Sequence, residues 1–304
     1  MRASMALIFI GTLMGFARAD DAATAKKLSD LGAQVTIDKS VTATAVSFKD
    51  CSKLGAEEFK LIGSLTGLKS LTLYGSCKGL TDETLPLLRN LTALETLNTD
   101  LMMLSDDGFQ HFAVFKNLKQ LSLFHVSYQL KGFTGRGFKH LKELPNLRTF
   151  TYAGSTCGDD AIIALAEVKQ LRDLRTWHTW STPDATEHLT KITHLTSLKY
   201  GQSLLKYDGK EKKFALTDST IPAILKLQEL ESLALDEARL SLESLKQLRG
   251  LPKLKKLILE RIDISTDDVE KLKVELKGVD IKLTPLTDEE KKRLDAMLAQ
   301  PKPK

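Results

Sequence analysis

The feature that most constrains the fold is a spacing of leucines that recurs along most of the chain. In residues 65–91, LTGLKSLTLYGSCKGLTDETLPLLRNL, the first four leucines stand three, three and two residues apart. A second run follows with steps of five, three and three residues and consists of Leu80, Leu85, Leu88 and Leu91. A two-residue step is typical of a strand and a three-residue step of a helix. The stretch therefore predicts a strand, a turn and a short helix that starts at Thr81 or Asp82.

The same unit recurs with a regular period. If one strand residue per unit is taken as an anchor, successive anchors lie 25, 26, 24, 29, 24, 24, 35, 24 and 24 residues apart. The ten anchors are Val46, Leu71, Leu97, Leu121, Phe150, Leu174, Leu198, Leu233, Leu257 and Ile281. Trp177 is an alternative anchor to Leu174, but Leu174 keeps the period at 24. Such a period predicts a repeat architecture.

One unit cannot bury its own leucines, so neighbouring units must stack. Strands stack about 4.8 Å apart, whereas helices are about 10 Å across. Because the two rows cannot share one pitch, the stack must curve with its strands on the inside. The sequence therefore predicts an α/β leucine-rich repeat solenoid, a horseshoe with parallel inner strands and outer helices.

The N-terminus has the pattern of an export signal. Arg2 precedes an apolar run over residues 5–16, and Ala17-Arg18-Ala19 fits the rule for cleavage before Asp20. A membrane anchor is the less favoured alternative, because a spanning helix needs about 20 apolar residues. We expect a secreted or periplasmic protein with no membrane span after cleavage. The predicted parts are a signal peptide (1–19), an N-terminal cap (20–45), the repeats (46–283) and a C-terminal cap helix and tail (284–304).

The pattern LxxLxxLxL…LTDxxLxxLxxL, over roughly residues 28–283, resembles that of secreted bacterial leucine-rich repeat proteins. The repeats are similar to the cysteine-containing type also found beside F-box domains. The resemblance implies a horseshoe that binds other macromolecules without catalysis. We therefore expect a non-enzymatic extracytoplasmic binding module for a protein or other macromolecular ligand. A structural component of a cell-envelope or surface assembly is the alternative, and an enzyme with a diffuse site on the rim is a third.

The charge distribution and the sequence motifs indicate no catalytic or metal site. Loss of Arg2 and Arg18 with the signal lowers the formal charge from +5 to +3, and the charges are interspersed, which argues against a nucleic-acid groove. No histidine or cysteine cluster has zinc spacing, so no metal or cofactor is expected. Pairs of aspartates open several helical halves, where aspartate serves as a cap and dipole partner, and they are Asp106/Asp107, Asp159/Asp160 and Asp267/Asp268.

The three cysteines are Cys51, Cys77 and Cys157. Cys51 and Cys77 fall in adjacent turns, whose backbones should lie about 5 Å apart, within reach of a disulfide. Buried free thiols are the alternative. The sequence leaves both states open.

The ligand surface is predicted from the residue three after each anchor, which should point out of the inner face. These residues are Tyr74, Asp100, Phe124, Ala153, Trp177, Gly201, Asp236 and Glu260. Phe124 and Trp177 should stand about 9.6 Å apart, two strand spacings, and leave a slot over the small Ala153. Exposed rings on a concave surface often mark binding sites.

The predicted site extends to its rim. His125 and His178 directly follow two of the rings, and Trp180 and the insertion 124–133 should lie beside them. A second insertion, 199–216, should emerge on the same rim. Both insertions are consistent with added specificity or with neutral drift. The alternative for the rings is that the inserted loops cover them as a small satellite core.

Overall fold

The structure is a computed structural model that describes residues 13–128, 130–202 and 214–299, with side chains from residue 21 onward. Most of the predicted signal peptide, most of the insertion 199–216 and the end of the tail therefore lie outside the described residues. Within them, no helix combines the length and apolar character that a membrane crossing requires.

One sheet runs through the whole described chain, with its strands side by side in sequence order. The first pair is antiparallel, and every later pair is parallel. The strands are β1 (Gln34–Ile37), β2 (Ala43–Phe48), β3 (Ser70–Leu73), β4 (Thr96–Asp100), β5 (Gln120–Phe124), β6 (Thr149–Ala153), β7 (Asp173–Trp177), β8 (Ser197–Gly201), β9 (Ser232–Ala238), β10 (Lys256–Ile262) and β11 (Asp280–Thr284).

The register confirms all ten predicted anchors. Val46 pairs with Leu71, and each later anchor pairs with the next one, up to Leu257 with Ile281. Leu174 stands between Phe150 and Leu198 in this row, so it is the anchor of its unit. The architecture is a leucine-rich repeat solenoid.

Short helices form the second layer. The α-helices are α1 (Leu13–Asp30), α2 (Ala56–Gly63), α3 (Asp159–Leu165), α4 (Asp184–Leu189), α5 (Ile221–Ile224), α6 (Leu242–Lys246), α7 (Thr266–Glu275) and α8 (Asp288–Leu298). Other units carry 3₁₀ helices instead, at Leu85–Leu88, Asp107–Val114, Arg136–Glu143, Asp218–Thr220 and Gln247–Gly250.

The predicted helix start at Thr81 or Asp82 is wrong. The helical turn of that unit covers only Leu85–Leu88. The Thr84 hydroxyl accepts a hydrogen bond from the Thr81 N–H (2.8 Å) and donates one to the Gly79 carbonyl (2.6 Å), which holds the preceding residues in a turn.

The space between strands and helices is filled by leucines and phenylalanines. On each strand the anchor and the residue two after it point into this core. Leu123, Leu235 and Leu259, which we predicted at the second position, are fully buried. The residues between them point to the opposite side of the sheet, which we call the inner face.

Two ladders of side chains tie neighbouring coils together. The carboxylates of Asp82 and Asp159 bind the backbone N–H and hydroxyl of Ser105 and Thr182, one coil further on. At the other edge the side-chain amide nitrogens of three residues, each four before an anchor, donate to backbone carbonyls of the preceding coil, and these residues are Asn117, Asn146 and Gln170. The repeat is thus held by polar bonds at both edges of the core.

Asp106 is the most heavily bonded member of the first ladder. Its carboxylate accepts from the N–H groups of Thr134, Gly135 and Gly137 at 2.9–3.0 Å and from the Thr134 hydroxyl at 3.1 Å. It makes no capping hydrogen bond to its own helix. The first aspartate of this pair is structural, as interpreted from the sequence, but it joins two coils instead of capping one.

The end helix α8 begins with the predicted capping box. Thr287 accepts from the Glu290 N–H (3.2 Å), and Glu290 accepts from the Thr287 N–H (2.9 Å). Leu294 is its buried side chain. Its other attachments are ion pairs to Glu237 of β9 and to Arg239 and Asp263, which directly follow β9 and β10.

Candidate ligand-binding face

Three aromatic side chains form a continuous ridge on the inner face. The rings of Tyr74 and Phe124 lie 6.1 Å apart between centroids, with an interplanar angle of 69°. Phe124 and Trp177 lie 6.2 Å apart at 62°. Tyr74 is 40% exposed, and the other two are half-buried. These three rings are called the aromatic ridge below.

The predicted slot between Phe124 and Trp177 is wrong. The strand spacing was expected to hold the rings about 9.6 Å apart, but they are in edge-to-face contact and Ala153 is buried, at 3% exposure. Side chains on alternate strands can lean together over a small residue, and edge-to-face pairs of aromatic rings attract each other. Gly201 gives Trp177 its room, because a Cβ there would lie 2.5 Å from the Cβ of Trp177.

Both predicted histidines stand at the end of an inner strand, and each binds a carboxylate. His125 Nδ1 lies 2.8 Å from Asp100 Oδ1 on the neighbouring strand. His178 Nε2 is hydrogen-bonded to Glu237, which belongs to β9, two strands away. Gly154 leaves space for the first imidazole, since a Cβ there would lie 2.4 Å from His125 Cδ2.

The backbone at this repeat position, four residues after the anchor, is left-handed in most units. Glycine occupies it twice, as Gly75 (φ 70°) and Gly154 (φ 66°). The other residues there have side chains and φ between 47° and 59°, and they are Leu101, His125, His178, Glu237 and Arg261. Left-handed backbone is unfavourable for a residue with a Cβ. Four of these five side chains make charge-bearing contacts at one edge of the inner face.

Glu237 lies at the centre of a cluster of charged side chains that the repeat spacing did not predict. It accepts from His178 and from Arg293 Nη2 of α8 at 2.6 Å. Burial raises the pKa of the Glu237 carboxyl, but these two hydrogen bonds and the charges of His178 and Arg261 outweigh burial and lower its pKa from the usual 4.5 to about 2. Glu237 is therefore ionised throughout the physiological range.

A second carboxylate, Asp236, is almost fully buried at 1% exposure. Arg261 binds it with two nitrogens, Nε at 2.8 Å and Nη2 at 2.7 Å, and Lys199 Nζ lies 3.2 Å away. The same ammonium group pairs with Glu260 and lies 4.6 Å from the ring centroid of Trp177. The charged cluster thus begins where the aromatic ridge ends.

The predicted rim is only partly described. Trp180 is half-buried, and its backbone N–H donates to the Cys157 carbonyl at 2.9 Å. In the insertion 124–133, Tyr128 is 38% exposed and touches the His125 ring, whereas Phe133 is buried against Phe109. Residues 203–213 of the second insertion lie outside the described residues.

All three cysteines are buried free thiols in the structure. A hydrogen bond from Cys51 and burial raise the pKa of the Cys77 thiol far above its usual value. Burial raises the pKa of Cys157 to about 12. The two thiols of Cys51 and Cys77 are neighbours, as the spacing predicted, and a disulfide between them stays a prediction.

Sequence reasoning missed Lys199, Glu237, Arg261 and Arg293 as parts of this edge. The recurrence of glycine at two of the left-handed positions was an available signal for the edge, because it marks a backbone conformation that most units share. Arg293 had no such signal, since its partner is 56 residues away. Among the described residues, no group of three histidine, cysteine or carboxylate side chains is placed to hold a metal ion.

Two solved structures are similar to this chain in backbone. An internalin from Listeria monocytogenes aligns with 73% of this chain and 69% of its own, at 17% sequence identity and a TM-score of 0.44. A chain of the yeast complex of Rad7 and Elc1 aligns with 94% of this chain and 90% of its own, at 16% identity and a TM-score of 0.39. No protein-family model matches the sequence, and no curated protein matches it.

Proposed function

We propose that the protein is a non-enzymatic extracytoplasmic binding module that presents its inner face to a protein or other macromolecular ligand. The observation that carries this proposal is the aromatic ridge of Tyr74, Phe124 and Trp177. Rings left partly in water on this face cost free energy that burial by a ligand would recover. Large aromatic side chains are also those most often found at the energetic centre of interfaces.

The surrounding groups support binding without catalysis. The carboxylates at the edge of the face are held by permanent partners, as Asp236 is by Arg261 and Glu237 by Arg293. Such groups fix the geometry of a surface and are not free to exchange protons with a substrate. Export is supported by residues 1–19, whose charged start, apolar run and small-residue end have the pattern of a signal peptide.

The binding proposal is tested with the double variant Phe124→Ala/Trp177→Ala. Immobilised protein is used to capture ligands from the envelope and secreted fractions of the source cells. We expect the double variant to lose the captured ligand while its melting temperature barely changes. The matched control is Val114→Ala/Ile163→Ala, which removes exposed apolar side chains (41% and 43%) from the outer helices. A large loss of stability with capture intact would show that the rings serve packing.

The alternative, a structural component of an envelope or surface assembly, predicts a different behaviour in solution. A binding module should stay monodisperse at moderate protein concentration, whereas a lattice-forming component should assemble as concentration rises. Light scattering over a concentration series separates the two. Mass spectrometry of the exported protein tests the signal, and we expect its first residue to be Asp20.

A further inference from the structure

The inner face divides into two halves of different chemistry. Over β3–β6 its twelve side chains are Ser70, Thr72, Tyr74, Thr96, Asn98, Asp100, Gln120, Ser122, Phe124, Thr149, Thr151 and Ala153. Eight of them are uncharged hydroxyl or amide groups, and only Asp100 carries a charge, which His125 contacts at 2.8 Å. We call this half the neutral floor.

The other half, over β7–β10, is charged. Its twelve corresponding side chains include Asp173, Arg175, Lys199, Asp236, Lys256 and Glu260. Most of these charges bind each other, for example Arg175 with Asp173 at 2.7 Å and Lys199 with Asp236 at 3.2 Å. Self-paired charges offer a ligand little. In the neutral floor Ser122 and Thr151 are buried, at 6% and 5% exposure, and the other six polar side chains reach solvent. Asn98 donates to the Thr72 hydroxyl at 3.3 Å, and the floor is the half that offers a ligand uncharged polar groups.

The neutral floor has the aromatic ridge on one side and a cavity on the other. The cavity has a volume of about 530 Å³ and lies at the edge where the strands begin. It is lined by Glu95, Thr96, Lys119, Gln120, Asn146, Arg148 and Thr149. Thr96, Gln120 and Thr149 belong to both cavity and floor, so the surface is continuous. It measures about 16 Å along the strands and about 14 Å across four of them.

This arrangement selects for one ligand chemistry. A protein ligand typically needs an apolar centre surrounded by a polar rim, but here the apolar strip is one side chain wide and lies beside the polar area. A pyranose has a face of C–H groups and a rim of hydroxyls. The negative faces of aromatic rings attract C–H groups, and Ser, Thr, Asn and Gln both donate to and accept from hydroxyls.

We propose that the neutral floor and the aromatic ridge bind a chain of uncharged sugar residues. The proposal rests on the binding function proposed above and names its ligand class. The sugar rings stack along Tyr74 and Phe124, and their hydroxyls bind the floor and the cavity. The area accommodates about three sugar units, from a length of about 5 Å for each unit and the dimensions of the floor.

The test is calorimetric titration of the purified protein with four hexasaccharides. Three are neutral, built from β-1,4-linked glucose, α-1,4-linked glucose and β-1,4-linked N-acetylglucosamine, and the fourth is the anionic hexamer of galacturonic acid. We expect at least one neutral hexamer to bind. Tyr74→Ala should lower its affinity about tenfold, and Gln120→Ala should lower it several-fold.

The matched control is Ile163→Ala, since Ile163 is as exposed (43%) as Tyr74 (40%) but lies on the outer helix α3. It should leave the affinity unchanged, as should Lys256→Ala on the charged half. The proposal is overturned if no neutral hexamer binds at about millimolar concentration, if the galacturonic acid hexamer binds more tightly than all three, or if Tyr74→Ala has no effect. If capture of a protein ligand persists in that case, only the sugar class fails; if capture is also absent, the binding function fails with it.

Discussion

At the scale of single residues, the edge of the inner face is shaped by the left-handed position four residues after the anchor, which most units share. Glycine would satisfy this backbone without strain, yet His125, His178, Glu237 and Arg261 occupy it. Such a conformation costs a residue with a Cβ about 1–2 kcal/mol. Each of the four side chains pairs with a side chain of opposite charge or with a hydrogen-bonding partner. This pairing offsets the cost of the left-handed backbone and fixes the edge of the face.

Two variants of His125 separate the cost of its backbone strain from the stability gained by its hydrogen bond to Asp100. His125→Ala keeps the strained backbone and loses the bond to Asp100, whereas His125→Gly loses the bond and relieves the strain. We expect the glycine variant to be more stable than the alanine variant by about 1 kcal/mol in urea unfolding. Gly154→Ala should destabilise, because it adds strain and a Cβ 2.4 Å from His125 Cδ2. Equal stability of the two His125 variants would contradict this account.

Leu235 tests the core register. Its side chain is fully buried, and its strand partners are Tyr200 and Leu259 on the adjacent coils. Leu235→Ala should lower the free energy of unfolding by about 2–5 kcal/mol, through lost burial and the cavity that remains. Val274→Ala, at a side chain 67% exposed on α7, is the control and should change it by less than about 0.5 kcal/mol. An unchanged melting temperature for Leu235→Ala would refute the register.

The thiols give a prediction about reactivity. Raised pKa values keep Cys77 and Cys157 protonated at pH 8, and alkylating reagents attack the thiolate. We expect no labelling of these two cysteines by iodoacetamide in the native protein at that pH. After unfolding without reductant, three labelled cysteines indicate free thiols, whereas one labelled cysteine indicates the disulfide between Cys51 and Cys77. Rapid labelling of Cys157 in the native state would contradict its burial.

At the scale of elements, Asp106 joins two neighbouring coils through four hydrogen bonds. Asp106→Ala removes the acceptor of four hydrogen bonds and leaves the N–H groups of Gly135 and Gly137 without it. Because an unsatisfied buried donor costs about 1–3 kcal/mol, we expect a loss of at least about 2 kcal/mol in urea unfolding. The control Asp107→Ala removes the adjacent exposed carboxylate and should have little effect. A similar loss in both variants would refute the role of Asp106 as a link.

The elements also show what the sequence could predict. All ten anchors were correct, because a spacing of 24 residues that recurs in five of nine intervals leaves one register for the buried leucines. The helix start at Thr81 or Asp82 was wrong, because leucine spacing does not show that the Thr84 hydroxyl binds the Thr81 N–H and the Gly79 carbonyl and holds these residues in a turn. The contact of Phe124 with Trp177 was missed because spacing fixes where a Cβ lies but not where its ring leans.

At the scale of the whole molecule, the two ends of the sheet differ in how they are closed. At the N-terminal end β1 pairs antiparallel with β2, and α1 packs beside them. At the C-terminal end α8 is fastened mainly by charge, through Arg293 to Glu237, Lys291 to Asp263 and Asp295 to Arg239. Glu237 also holds His178, so this end of the molecule is connected to the edge of the ligand face.

These attachments should make α8 sensitive to acid. The pKa of Glu237 is lowered from 4.5 to about 2, and Lys291 lowers that of Asp263 despite partial burial. A carboxyl with a depressed pKa in the folded state adds stability that is fully present above its unfolded pKa and is lost as pH falls through its folded pKa. The helix should therefore remain attached from neutral pH down to about 4.5 and detach progressively between there and pH 2.

Hydrogen exchange measured by mass spectrometry, corrected for intrinsic rates, tests this at pH 7, 4.5 and 2.5. We expect the amides of α8 to lose protection between pH 4.5 and 2.5 while those of β5 keep theirs, because β5 is held by the apolar core. Arg293→Ala should expose α8 already at pH 7, since it removes one partner of Glu237. The control is the exposed Lys292→Ala, for which no such loss is expected. If α8 keeps equal protection in both variants, or stays protected at pH 2.5, its attachment does not depend on Glu237.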